Sequence, residues 1–209
     1  MRIYNPVILV VLIALLAGCK NSDKSSTEPI IDPNTTSVIV PIALGNKWIR
    51  SGTVYDTSGS ILSTFTDSIS VSRDTTIENS KWFVLQMQGL EYMVANYEKG
   101  LYWLYGANSK GIWYQYPAAL KDSFIVFGNT SYVRVLSIDT VIIVPAGTFS
   151  CYKYQFDSYA FVGTIGGGRT IWFASPNKGF IKSEYYTSTP TSKNQYLYST
   201  TQLTKLVLK

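Results

Sequence analysis

From Trp48 onward, hydrophobic and polar positions alternate in short runs separated by turn formers, the period-2 pattern of antiparallel strands that bury one face. Residues 47–55 and 61–73 flank Asp56-Thr57-Ser58-Gly59, and in the second run Ile61, Phe65, Ile69 and Val71 alternate with Ser and Thr. Runs at 82–88, 90–97, 101–105 and 112–116 follow, joined at Gly89, Glu98-Lys99-Gly100 and Asn108-Ser109-Lys110-Gly111. The longest candidate, 132–144, meets Pro145-Ala146-Gly147 and turns back into 149–156; runs at 169–174, 180–186 and 195–208 complete the chain. No window has the 3.6-residue period of a useful helix, and residues 118–122 allow one turn at most. The pattern predicts an all-β fold, a curved antiparallel meander with little or no helix.

Some middle runs are apolar on both faces. Leu101, Trp103 and Tyr105 alternate with Tyr102 and Leu104, and Ile112, Tyr114 and Tyr116 with Trp113. A sheet wetted on one side does not carry such strands, so the meander is expected either to curl into a barrel or half-barrel with a filled concave face or to be covered by a second layer. Composition agrees: sixteen Tyr, nine Phe and five Trp stand against 15% charged residues. That is a strand-forming balance with ample core material.

The first nineteen residues follow a different rule. Arg2 is a basic start, Val7 to Leu16 an apolar run, and Leu16-Ala17-Gly18-Cys19 ends it on small residues and a cysteine, the order of an export signal. This segment resembles the signal peptide of bacterial lipoproteins. The resemblance implies removal of residues 1–18, acylation of Cys19 and membrane attachment through that lipid, in the bacterial cell envelope. The apolar run is far shorter than the roughly 20 residues that span a bilayer, which disfavours a permanent helix. Lys20 and Asn21 follow Cys19; with no Asp directly after it, the enteric rule implies the outer membrane. Residues 19–41, rich in Ser, Thr, Asn, Asp and Pro, read as the lipidated N-terminus and tether, with 37–40 as a candidate edge strand, and 42–209 as one β domain.

Three further segments carry a likeness. Val144-Pro145-Ala146-Gly147-Thr148-Phe149 resembles the V-P-A-G-T-F motif of uncharacterised bacterial lipoproteins and periplasmic proteins. Trp172 to Glu184, with Pro176 and Gly179, is similar to an aromatic, Pro and Gly segment that follows it there, and Leu44-Gly45-Asn46-Lys47-Trp48 looks like the opening of their first strand. The resemblance implies a curved antiparallel sheet akin to periplasmic lipoprotein carriers, and no activity. Read physically, Pro145, Ala146, Gly147, Thr148 and Phe149 form a strand-turn-strand joint: proline presets φ and glycine permits the positive φ of a tight reversal. Gly179 has the same structural role.

Chemistry is sparse. The chain contains no histidine, and its thirteen acidic residues form no metal-binding cluster. His-based triads and imidazole metal sites are thereby removed. No cofactor and no catalysis are expected; a carboxylate-driven hydrolase using Glu91, Asp139 or Glu184 is the least favoured option. Gly163 to Gly168 lacks the Gly-Lys-Ser/Thr of a phosphate loop and reads as a hairpin tip. The formal charge of +5 comes from dispersed Lys and Arg, so no nucleic-acid partner is expected. Cys151 has no partner once Cys19 is acylated and reads as a small buried residue. The remaining lead is the aromatic surplus: Trp103, Tyr105, Trp113 and Tyr114 are the candidate ligand-facing residues of a module for a glycan or an apolar ligand, the alternative to a binding or assembly role with another envelope protein.

Overall fold

The computed structural model describes residues 37–105, 109–127, 131–158, 168–189 and 192–209. Cys19, the signal segment, residues 20–36 of the tether and the glycine run at 163–167 lie outside these. Twelve strands fill the described part: β1 (Lys47–Tyr55), β2 (Ile61–Ile77), β3 (Ser80–Met87), β4 (Leu90–Tyr97), β5 (Gly100–Tyr105), β6 (Ser109–Gln115), β7 (Ser123–Phe127), β8 (Ser131–Val144), β9 (Gly147–Ser158), β10 (Gly168–Ser175), β11 (Gly179–Thr189) and β12 (Ser192–Val207). No helix occurs among the described residues. The sequence pattern misses only β7, whose five residues lack a clear alternation.

All twelve strands form one antiparallel sheet in the order β6-β5-β4-β3-β2-β1-β12-β11-β10-β9-β8-β7. Every sequential hairpin pairs except β6 with β7. The first strand pairs with the last: Trp48 lies opposite Leu206 and Thr53 opposite Thr200. The sheet is therefore a nearly closed barrel with a single seam between β6 and β7. Register shifts within β1, β2, β5, β8, β10 and β11 bend the long strands around it.

The inward face holds the core: Trp48, Ile69, Leu85, Val94, Leu101, Tyr114, Val135, Tyr154, Ile181 and Leu203 are all buried. The strands that read as apolar on both faces are explained by a second, smaller cluster on the other side of β3, β4 and β5. There Trp82 meets Tyr97 edge-on at 5.8 Å, and Tyr97 meets Tyr102 at 5.1 Å. The Lys110 ammonium lies 4.5 Å from the Tyr97 ring centre. An aromatic patch capped by a cation, rather than a second layer, covers that outer face.

The folded part begins before residue 42. Val38, Ile39 and Val40 are buried, as is Ile42. They form no paired edge strand; the segment crosses one end of the barrel and is held by side chains and turns around the rim. Val38 N–H donates to Asn177 Oδ1 (3.0 Å), Asn177 N–H donates back to the Val38 carbonyl (2.7 Å), and Asn96 Nδ2 donates to the Val40 carbonyl (3.0 Å). Asn46 completes the closure, donating to the Pro41 carbonyl (2.8 Å) and accepting from Lys209 N–H (2.8 Å). A three-residue apolar run is diluted by its Ser, Thr and Pro surroundings, which is why composition reads it as tether.

The turns at Pro145–Gly147 and at Gly179 lie at this plugged end. Pro145 and Ala146 form the β8–β9 reversal, Gly147 follows at φ +132°, and Ala146 N–H reaches the Leu203 carbonyl of β12 (3.1 Å). Gly179 is more constrained still. Its φ is +82°, and a Cβ there would sit 2.9 Å from Nε1 of Trp48, whose indole donates to the neighbouring Lys178 carbonyl (2.5 Å). Gly179→Ala is thus expected to cost roughly 2 kcal/mol or more, from left-handed backbone strain and displacement of a buried ring. Equilibrium urea unfolding with tryptophan emission as the signal measures it.

Candidate binding site in the barrel wall

Because β2 has seventeen residues and β3 only eight, the two part company at Ile69, which faces Met87. The β3–β4 reversal at Gln88 and Gly89 has φ of 52° and 77°, the two positive values of a tight hairpin turn. Residues 61–68 continue past it, paired with β1 alone. A notch in the wall results, beside the start of β1. It is a groove of about 620 Å³ lined by Asp67, Ser68, Ser70, Gln86, Met87, Gln88, Gly89 and Glu91.

Behind the notch, inside the barrel, is a smaller space of about 120 Å³. Trp113, Tyr114, Trp172 and Phe180 supply rings to its lining, Ile69 and Met87 apolar side chains, and Arg50, Ser183 and Thr201 polar groups. The rings brace one another: Tyr114 contacts Trp172 at 5.4 Å and Tyr154 at 5.2 Å, and Trp172 stacks on Phe156 at 5.4 Å. Ser183 and Thr201, opposite each other on β11 and β12, share a 2.7 Å hydroxyl hydrogen bond.

Arg50 and Asp67 join the two spaces. They are register partners on β1 and β2. The guanidinium grips the carboxylate with two bonds, Nε to Oδ1 at 2.8 Å and Nη2 to Oδ2 at 2.5 Å, the fork geometry that makes such pairs strong. Arg50 lines the inner cavity and Asp67 the outer groove, with Met87 common to both. Both side chains are about nine-tenths buried, and Gln88 Nε2 adds a 3.2 Å bond to Asp67 from the groove side.

Of the four aromatic residues singled out from the sequence, Trp113 and Tyr114 line the inner cavity. Trp103 and Tyr105 line neither space; Trp103 packs on Trp113 at 5.9 Å and Tyr105 on Trp103 at 5.6 Å. The three carboxylates considered for hydrolysis do not converge. Glu91 is in the groove but bonded to Arg73 (2.6 Å), Glu184 pairs with Lys182 (2.6 Å), and Asp139 accepts from Ser137 (3.1 Å). Sequence reading misses Arg50 and Asp67. Their signal is present: each occupies the apolar phase of its strand, Arg50 between Trp48 and Gly52, Asp67 between Phe65 and Ile69.

Burial also sets the titration of the interior. The Cys151 thiol is pushed up from 9.0 to about 12 by burial. The Tyr114 and Tyr154 phenols are driven up by the same cause, Arg50 opposing it at Tyr114. For each group the folded value exceeds the unfolded one, so above the unfolded value the unfolded chain loses its proton first. Stability contributed by keeping Cys151 neutral is complete below pH 9 and declines as the pH rises toward about 12. Denaturation midpoints are expected to fall across that window, and iodoacetamide is expected to label Cys151 in denaturant only.

The fold defines a class: a seamed twelve-stranded antiparallel barrel whose N-terminal segment plugs one end and whose wall is notched where β2 outruns β3. No protein-family model and no curated protein matches the sequence. Among solved structures, the chain is similar to a "putative exported protein with YmcC-like fold" from Bacteroides fragilis, at 14% identity and a TM-score of 0.52, covering 83% of this chain and 100% of that one. A second, a "putative lipoprotein" from Parabacteroides distasonis, aligns at 18% identity and a TM-score of 0.42 over 82% of this chain and 99% of that one.

Proposed function

We propose that this chain is a lipid-anchored domain of the bacterial cell envelope that acts without catalysis, by binding a ligand at the wall notch. Export and anchorage are supported by Arg2, the apolar run and Leu16-Ala17-Gly18-Cys19, and the description of the Bacteroides fragilis neighbour as exported agrees with the first of these. The outer membrane is the destination in this reading, given Lys20 and Asn21 after Cys19. Labelled palmitate incorporated into the wild-type chain and lost in Cys19→Ser tests the anchor, and density-gradient separation of the two membranes tests the destination. A mature chain that still begins at Met1 overturns both.

The ligand class follows from the wall. Ser68, Ser70, Gln86, Gln88 and Glu91 present hydroxyls, amides and a carboxylate to the groove, while Trp113 and Trp172 line the space behind. Such a pairing of polar groups with ring faces suits a glycan. The inner cavity, at about 120 Å³, is below the roughly 300 Å³ usual for a whole ligand and takes one small group of it. One observation carries the reading: the polar groove and the aromatic cavity share Met87 and are linked by the Arg50–Asp67 pair. Envelope glycan fragments titrated against the protein are expected to shift tryptophan emission, and Gln88→Ala with Gln86→Ala to weaken the effect about tenfold or more, each lost hydrogen bond contributing about 1 kcal/mol. Unchanged emission across such a panel, with an envelope protein captured instead, moves the role to assembly. Cleaved glycan in the mixture replaces binding with hydrolysis.

A further inference from the structure

The antiparallel order places each described turn at one of the two ends. The plugged end gathers the turns at 78–79, 98–99, 116–122, 145–146 and 176–178, the segment 37–46 and the last residues, 208–209. The opposite end has the described turns at 56–60 and 88–89.

We propose that the plugged end is a membrane-docking face, which sits the barrel on an anionic lipid surface. The inference rests on the anchored reading above for its orientation, and on the chemistry of this end for its occupant. Large apolar side chains project from it: Leu44 is 47% exposed, Leu120 54% and Ile143 79%. Around them stand the exposed Lys99, Lys121, Lys178 and Lys209, against Glu78 and Glu98. Asp122, the other acid there, is occupied by Ala119 N–H and Gln115 Nε2.

Apolar tips among lysines match an interface of acyl chains below anionic headgroups. The opposite end has exposed apolar residues too, Ile61, Leu62 and Leu90, but its described turns carry Asp56 and no lysine, and the described cations on its strand ends are engaged, Lys110 over the Tyr97 ring and Arg134 and Arg169 on Asp157, so the lysine charge favours the plugged end. The chain itself agrees. Ser37, the first described residue, is at the plugged end, bonded to Tyr116 at 2.8 Å. The seventeen residues 20–36 separate it from Cys19, and a fully extended stretch of that length reaches at most about 60 Å.

The test uses the full acylated chain in vesicles of phosphatidylethanolamine with phosphatidylglycerol. Leu44→Cys, Ile143→Cys and, as a control, Leu62→Cys each receive a nitroxide; the buried Cys151 thiol does not compete for the label. Labels at 44 and 143 are expected to be reached by oxygen and shielded from a water-soluble nickel complex, and the label at 62 to behave as in water. Combining Lys121→Gln, Lys178→Gln and Lys209→Gln is expected to reverse the shielding, each lysine removed lowering the docked fraction about fivefold. Water-like behaviour at 44 and 143 in an acylated, vesicle-bound chain overturns the docking face and leaves the anchor standing. Equal shielding at 62, or no response to the lysine variants, also overturns it. Shielding at 44 and 143 in a chain that mass spectrometry finds unacylated supports the face and removes the anchor instead.

Discussion

Trp48→Ala is expected to lower unfolding free energy by about 3–5 kcal/mol, enough to bring a marginal domain to the edge of unfolding. The indole is fully buried, meets Phe180 edge-on at 5.3 Å, and donates to the Lys178 carbonyl, so truncation opens a cavity, removes an aromatic contact and strands a turn carbonyl together. The same ring packs over Gly179, so the loss spreads from β1 to the β10–β11 turn and from there to Asn177, which holds the plug. Trp48→Phe keeps much of the volume but not the donor and is expected to lose roughly half as much. Urea midpoints for the two variants give both numbers.

The second large effect concerns the Arg50–Asp67 pair. Asp67→Leu leaves a guanidinium about nine-tenths buried without its carboxylate, and about 3–5 kcal/mol of destabilisation is expected. Arg50→Met with Asp67→Leu removes both charges and is expected to recover most of that loss, because the pair's Coulomb attraction is offset by the cost of taking two ions out of water. A double-mutant cycle on unfolding free energy separates the terms. The paired variant also distinguishes fold from function: stable, yet with the link between groove and cavity made apolar, it is expected to lose the ligand response. A doubly substituted chain that unfolds as readily as Asp67→Leu would show the pair to be needed for packing itself.

Most of the architecture was legible because period-2 alternation and turn residues are local signals. The runs around Trp48, Ile69, Val94 and Leu101 announced their strands, and the two-sided apolar character of the middle runs announced curvature. The closure of β1 on β12 was not legible, since nothing local in Lys47–Tyr55 distinguishes a partner at Ser192–Val207 from any other strand. The plug escaped for a related reason: Val38, Ile39 and Val40 are stabilised by Asn96 and Asn177, residues 56 and 139 positions away along the chain. At the site, the aromatic surplus pointed to Trp103, Tyr105, Trp113 and Tyr114, and only the last two line the cavity. The notch depends instead on a difference in length between β2 and β3 beside one out-of-phase Arg and one out-of-phase Asp.

The pairing of the first strand with the last has a consequence for the order of events in biogenesis. Until the sixteen residues of β12 are free to pair, β1 has an open edge toward it and the two halves of the sheet, β1–β6 and β7–β12, are unjoined. Closure demands contacts across almost the whole domain, the kind that form slowly. A polypeptide built this way cannot join the two halves of its sheet until its last strand is present.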